Sequence, residues 1–152
     1  MLRPSKKLVL ALEAVTDIAF HSSVDPVQSQ DISERLGLPR RYLEQVMQQL
    51  VRAGILRGVR GPRGGYRMAR ERRRVSVGDV MRVVQGLDDV PADDVQGSHS
   101  PLGRAVIGPF WTAVESELMD KLDNITIDDL CRQAEQAGVP SVTDNDDVDY
   151  AI

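Results

Sequence analysis

The chain has 152 residues, with 19 Lys and Arg against 23 Asp and Glu and a hydrophobic fraction of 41%. That length allows one domain with its own core, or a small domain with an oligomerisation element. No apolar run reaches membrane-spanning length, Glu13 and Asp17 break the segment after the basic start, and Cys131 is the only cysteine; an intrachain disulfide and a metal site of several thiolates from one chain are therefore excluded, no secretory signal is expected, and a cytoplasmic location is expected.

Ser5 is placed to cap a first helix, in which Leu8, Leu12, Val15, Ile18 and Ala19 recur at helical spacing as far as about His21. A loop with Pro26 follows. A short helix is predicted from about Gln28 to Leu36, with Gly37 as its stop. Pro39 is expected to open the next helix, where its missing N–H costs little, and Gly54 to end it after Ala53. Leu43, Val46, Met47 and Leu50 form the inward stripe of that helix. Ile55 to Arg60 and Tyr66 to Arg70 then flank a turn rich in Gly and Pro, which reads as a β-hairpin. A short helix, a tight turn, a longer helix and a hairpin make a winged helix-turn-helix.

Arg70 to Arg74 is a basic link. Ser76-Val77-Gly78-Asp79 resembles a capping box and starts a helix through Val80, Val83 and Val84 to Gly86. Asp88 to Ser100 is acidic and reads as a loose loop. Pro101 to Ile107 is expected to form a short helical turn, with Gly108-Pro109 restarting a longer helix to about Leu122. Thr126 caps a last helix bearing Leu130, Cys131 and Ala134, which Gly138 and Pro140 stop. Ser141 to Asp149 is acidic, lacks a core pattern and is expected to be disordered. The fold class is thus mainly α. The expected division is a winged helix-turn-helix domain over 1–86, an acidic effector region over 87–108, a dimerisation helix with the last helix over 109–138, and a flexible acidic tail over 139–152.

The charge is unevenly placed. Residues 1–74 hold 15 Lys and Arg against 7 Asp and Glu, whereas residues 75–152 hold 4 against 16. The front half therefore attracts polyanions and the back half repels them. On the longer helix, Arg41, Gln45, Gln48 and Arg52 lie opposite the apolar stripe. Arg reads guanine edges and Gln can read adenine. Since the N-terminal part of the second helix of a helix-turn-helix meets the bases, Arg40, Arg41, Glu44 and Gln45 are placed at DNA. Glu44 either accepts from a cytosine amino group or orients a neighbouring arginine, and Tyr42 packs on the sugar-phosphate backbone. On the wing, Arg57, Arg60, Arg63 and Arg67 are minor-groove candidates, with Gly61, Gly64 and Gly65 allowing close approach. Ser5, Lys6 and Lys7 are expected to meet phosphates at the start of the first helix.

These segments resemble the bacterial winged-helix regulators of the Rrf-two type, which include repressors of iron–sulfur assembly, nitric-oxide response and cysteine metabolism. The resemblance is carried by Asp31-Ile32-Ser33-Glu34-Arg35, Tyr42-Leu43-Glu44-Gln45, Val59-Arg60-Gly61-Pro62, Gly64-Gly65-Tyr66, Val77-Gly78-Asp79-Val80, and Trp111 followed by Asn124-Ile125-Thr126, in family order over about residues 1–137. It implies a homodimer on a partly palindromic operator, with DNA contacts at Arg41, Tyr42, Glu44, Arg60 and Gly61. It also implies a dimer helix matching Pro109–Leu122, with Phe110, Trp111, Val114, Leu118 and Leu122 as interface candidates. Many members hold an iron–sulfur cluster through three cysteines in the loop that is Asp88 to Ser100 here. This loop has no cysteine, so that ligation is excluded and no cofactor is expected; His99 and carboxylates are poor substitutes for thiolates.

The expected function is a homodimeric repressor without a cluster, acting in cysteine, sulfur or iron–sulfur metabolism. Three modes of control stay open. A small molecule binds the acidic loop and dimer core. A mixed-ligand cluster replaces the thiolate one. Or the tail docks into cysteine synthase: a cysteine-free branch of the family is controlled through that enzyme, and Tyr150-Ala151-Ile152 after an acidic lead resembles a carboxylate plug for its active site. An enzyme is not expected, because His21 and His99, the only histidines, sit in no nucleophile or metal-ligand motif.

Overall fold

The computed structural model describes residues 4–85 and 99–141. The first helix, α1 (Lys6–Phe20), begins where the Ser5 hydroxyl accepts from the Leu8 N–H at 3.2 Å. It buries Leu8, Leu10, Ala11, Ala14, Val15 and Ile18, and the two helices of the helix-turn-helix, one strand of the hairpin and two later helices pack on it. The short helix α2 (Ser29–Leu36) ends on Gly37, whose left-handed backbone (φ 64°) closes the turn that leads into α3 (Arg40–Arg52). The α3 stripe of Leu43, Val46, Met47 and Leu50 is buried as its spacing requires. Pro39 is the cap residue before α3 rather than its first turn, a shift of one position.

The wing is the antiparallel pair β1 (Leu56–Val59) and β2 (Gly65–Met68), with Gly58 opposite Tyr66 and Val59 opposite Gly65. The pair gains a third partner: Val27 and Tyr66 exchange N–H···O bonds of 3.0 and 2.8 Å. Here Gly65 is required, because a Cβ at that position would lie 2.3 Å from the Val27 carbonyl oxygen.

The basic link contains a 3-10 turn, Arg72–Arg74, which the sequence pattern does not reveal. Next comes α4 (Val77–Gln85), whose capping box is complete: Ser76 N–H donates to Asp79 and Asp79 N–H to Ser76 Oγ, both at 3.0 Å. The long helix α5 (Gly108–Asp123) does not restart at Gly108-Pro109. It continues from a π-helical turn, Gly103–Ile107, in which the Gly108 N–H reaches back to the Gly103 carbonyl. Pro109 has no N–H to bond one turn back, and the wider turn gives its ring room inside a continuous helix. The last helix, α6 (Ile127–Gln136), carries a second complete capping box, Thr126 with Asp129. Although the sequence groups it with the long helix, α6 packs on α1 and adds Ile127 and Cys131 to the main core. Burial pushes the Cys131 thiol up, away from the reactive thiolate.

The two capping boxes touch. Ser76 and Thr126 form an isolated antiparallel bridge, with Val77 N–H donating to Ile125 O (2.8 Å) and Ile127 N–H to Val75 O (2.9 Å). Asp128, buried beside this seam, is held by Arg72 and Arg132, both at 2.8 Å.

At the end of α1, Asp17 takes both arms of Arg35 from α2 at 2.9 Å and lies 3.5 Å from His21 Nε2. Burial is the main cause that lowers the His21 pKa below 6.5; Arg35 adds to it and Asp17 opposes it. A folded-state value below the unfolded one means stability is intact above the ordinary value and declines as the pH falls through it. The His21→Gln protein should therefore lose less stability than the parent between about pH 7.5 and about pH 5.5 in urea titrations. Equal losses would show that His21 does not carry the acid sensitivity.

Candidate nucleic-acid interface

The predicted DNA contacts on α3 and on the wing are exposed or half-buried. On α3, Arg41, Gln45, Gln48 and Arg52 are exposed, opposite the buried stripe, and Tyr42 is partly exposed beside them. Arg40 and Glu44 pair at 3.0 Å, one turn apart. Glu44 thus orients an arginine, one of the two roles open to it. In front of this helix the wing turn is closed by the Gly64 N–H on the Gly61 carbonyl at 2.9 Å. Pro62 sits at the second position of that turn, which its fixed φ suits.

An open cleft of about 690 Å³ separates α3 from the wing and is bordered by Arg40, Glu44, Arg60, Gly61 and Gly64. Arg60 and Arg63 are exposed at the wing tip. Tyr66 also borders the cleft, and its phenol is held above its ordinary pKa, first by burial and then by the Glu44 charge, so it stays a neutral donor. Ser5 spends its oxygen as an acceptor in the α1 cap, while Lys6 beside it is exposed and Lys7 half-buried.

Two sequence expectations change in detail. Arg67 is not held out toward a groove: its guanidinium donates to the Ser23 carbonyl at 3.3 Å and to the Val24 carbonyl, tying the wing to the loop after α1. Gly64 and Gly65 serve the protein's own packing, since a Cβ on Gly64 would lie 2.4 Å from the Val59 carbonyl oxygen and one on Gly65 would overlap Val27. Gln28, Ser29 and Gln30, at the start of α2, also border the cleft. Only the position of the α2 start signalled them, because their side chains carry no charge.

The long helix α5 buries none of its residues. Phe110 and Trp111 are 56% and 46% exposed and meet edge to face with centroids 5.6 Å apart. Leu118 is exposed as well, while Val114 and Leu122 are half-buried. Leu102, Val106 and Ile107 extend the exposed apolar surface through the π turn, which the expected helix break concealed. Tyr150, Ala151, Ile152 and nearly all of the acidic loop lie outside the described residues.

No group of three or more His, Cys, Asp or Glu among the described residues is arranged to hold a metal ion. Cys131, the one thiol of the chain, is fully buried between Ile127 and the α1 core. No helix among the described residues is long and apolar enough to cross a membrane.

Known proteins match this arrangement. The model of the Rrf2 family, described as an iron-dependent transcriptional regulator, matches residues 4–133. The HTH-type transcriptional regulator IscR of Vibrio campbellii is 36% identical over 144 residues, 93% of this chain and 83% of the relative. IscR of Pectobacterium atrosepticum is 36% identical over 150 residues, covering 97% and 88%. Among solved structures, IscR of T. potens superposes with a TM-score of 0.74 at 35% identity, over 92% of this chain and 93% of that one. CymR, the global cysteine regulator of B. subtilis, gives 0.70 at 25% identity, over 88% and 98%. The family description names iron; this chain offers a single thiol, Cys131, which is fully buried, so it lacks the set of thiolates that normally holds an iron–sulfur cluster. The exposed reading helix, the arginine-tipped wing and these likenesses agree: the chain belongs to the Rrf2 family and is a DNA-binding transcriptional regulator with a winged helix-turn-helix, not an enzyme.

Proposed function

We propose that this protein is a cytoplasmic homodimeric repressor that works without a cysteine-ligated iron–sulfur cluster and controls genes of cysteine, sulfur or iron–sulfur metabolism. The observation that carries the reading is the cleft between α3 and the wing. Arg40, on one wall, and the exposed Arg41 and Gln45 of the same helix enter the major groove, while Arg60 and Gly61 on the other wall, with Arg63 at the wing tip, reach the neighbouring minor groove. Lys6 and Lys7 meet the phosphates between them. Arg41→Ala should weaken binding to the cognate operator by about 1–3 kcal/mol and relax its sequence preference. Lys7→Ala should weaken specific and random DNA alike and lower the salt slope by about one. Equal losses on both DNAs for Arg41→Ala, or an unchanged slope for Lys7→Ala, would refute the respective role in fluorescence anisotropy titrations.

Dimerisation is supported by the exposed Phe110, Trp111 and Leu118 on a helix none of whose residues is fully buried within its own chain. Trp111→Glu should leave the helical circular dichroism unchanged, since the side chain is half exposed. It should shift sedimentation to the monomer and abolish high-affinity operator binding; a dimer that persists would refute the interface.

A second reading concerns control. A signal drawn from cysteine metabolism is supported by the lack of cysteines in the 88–100 loop and by the likeness to CymR, a cysteine regulator, which is weaker than that to IscR. In that reading Tyr150, Ala151 and Ile152 dock into cysteine synthase behind the acidic lead, and a small molecule in the 87–108 region is the competing route. Deleting Tyr150–Ile152 should remove binding to purified cysteine synthase in calorimetry. Undiminished affinity would sink the docking role.

A further inference from the structure

The long helix meets the DNA-binding body at a built contact that neither the core nor the DNA face accounts for. Asp123, the last residue of α5, receives both arms of the Arg82 guanidinium from α4, at 2.8 and 2.6 Å. Asp79 stands 3.6 Å from the same guanidinium. The Asp123 carboxylate lies directly over Gly78, where a Cβ would fall 1.9 Å from Oδ1 and 3.2 Å from the Asp123 backbone nitrogen. Any other residue at position 78 would push the carboxylate away. The contact sits beside the Ser76–Thr126 bridge, so a backbone seam and a forked ion pair hold α4 to the end of α5.

Arg82 and Asp123 are both well exposed to solvent. An exposed ion pair adds little to stability, but a forked one fixes direction as well as distance. Direction matters here because of leverage. Phe110 and Trp111 lie 12 to 13 residues before Asp123, about 19 Å along a helix rising 1.5 Å per residue. A pivot of about 10° at the joint would displace them by about 3.4 Å, the rise of one base pair.

We propose that Arg82, Asp123 and Gly78 form the joint that sets the separation of the two DNA-reading heads, so that Arg82 and Asp123 are positioning residues for half-site spacing. The inference rests on the homodimer reading and adds to it a determinant of operator architecture. Such a dimer binds half-sites about one helical turn apart, and its preference for one spacing is only as sharp as the joint is stiff.

The test uses the full chain and duplexes whose half-sites were selected from random DNA by the wild-type protein, rebuilt with the separation changed by one or two base pairs either way. Wild-type affinity should fall about tenfold on a one-base-pair change, the order of a single mismatch. Asp123→Ala should flatten that preference while keeping wild-type affinity for a duplex with one half-site. Arg82→Lys keeps the charge but loses the fork, and it should behave like Asp123→Ala. Variants that retain the wild-type spacing preference would overturn the joint while leaving the dimer reading standing. So would a parallel loss on the single half-site, which would show only a weakened fold. Indifference of the wild-type protein to spacing would overturn the joint, whereas sedimentation of the wild-type protein as a monomer would overturn the dimer reading beneath it.

Discussion

Two helix starts, 50 residues apart in the chain, are stitched together at Ser76 and Thr126, and the placing of the remaining elements depends on that seam. Each start is already satisfied by its own capping box, a motif that contributes about 1 kcal/mol per capping residue. The bridge then pairs the backbone between the caps, with Val75 and Ile127 fully buried on either side. The bonds across the bridge and the two caps thus satisfy the N–H groups of Ser76, Val77, Thr126 and Ile127 within the protein. Through it the DNA-binding body is joined to α5 on one side and α6 is folded back on α1 on the other.

The charge of the front half needs the same structural accounting. Its cationic excess suggests a surface given over to phosphate, yet several of its arginines work inside the protein. Arg35 is bound to Asp17, Arg67 to the loop carbonyls and Arg72 to Asp128. Exposed cations also stand on the outward side of α3, Arg41 and Arg52, and at the wing tip, Arg60 and Arg63.

What the sequence makes legible divides along the range of the interactions. Helix starts and stops are local, and Ser5, Gly37, Gly54, Ser76 and Thr126 all mark real boundaries. The α3 stripe is equally plain, because the 3.6-residue period needs no partner to be recognised. Features made by distant residues are not legible. Nothing near Gly65 announces that Val27 will lie against it, and Arg67 looks like any other wing arginine until the 22–26 loop is in place. The Gly108-Pro109 pair reads as a break because the usual remedy is to stop the helix, whereas here a π turn absorbs the proline. For the candidate site, residue types and helix faces carry the reading helix well, while the joint between Arg82 and Asp123 depends on two helices 41 residues apart.

The attachment of the wing bears on the entropy of binding. A hairpin of two four-residue strands is marginal alone in water and would sample many conformations. Here Val27 supplies a third strand partner, Gly65 admits it at backbone distance, and Arg67 ties the far side to the Ser23 and Val24 carbonyls. The hairpin is therefore ordered by the fold before DNA arrives. Ordering a mobile loop at an interface consumes part of the contact energy, and a preorganised one leaves that energy to affinity. In the proposed complex with DNA, little of the contact energy of the wing would be consumed in ordering it.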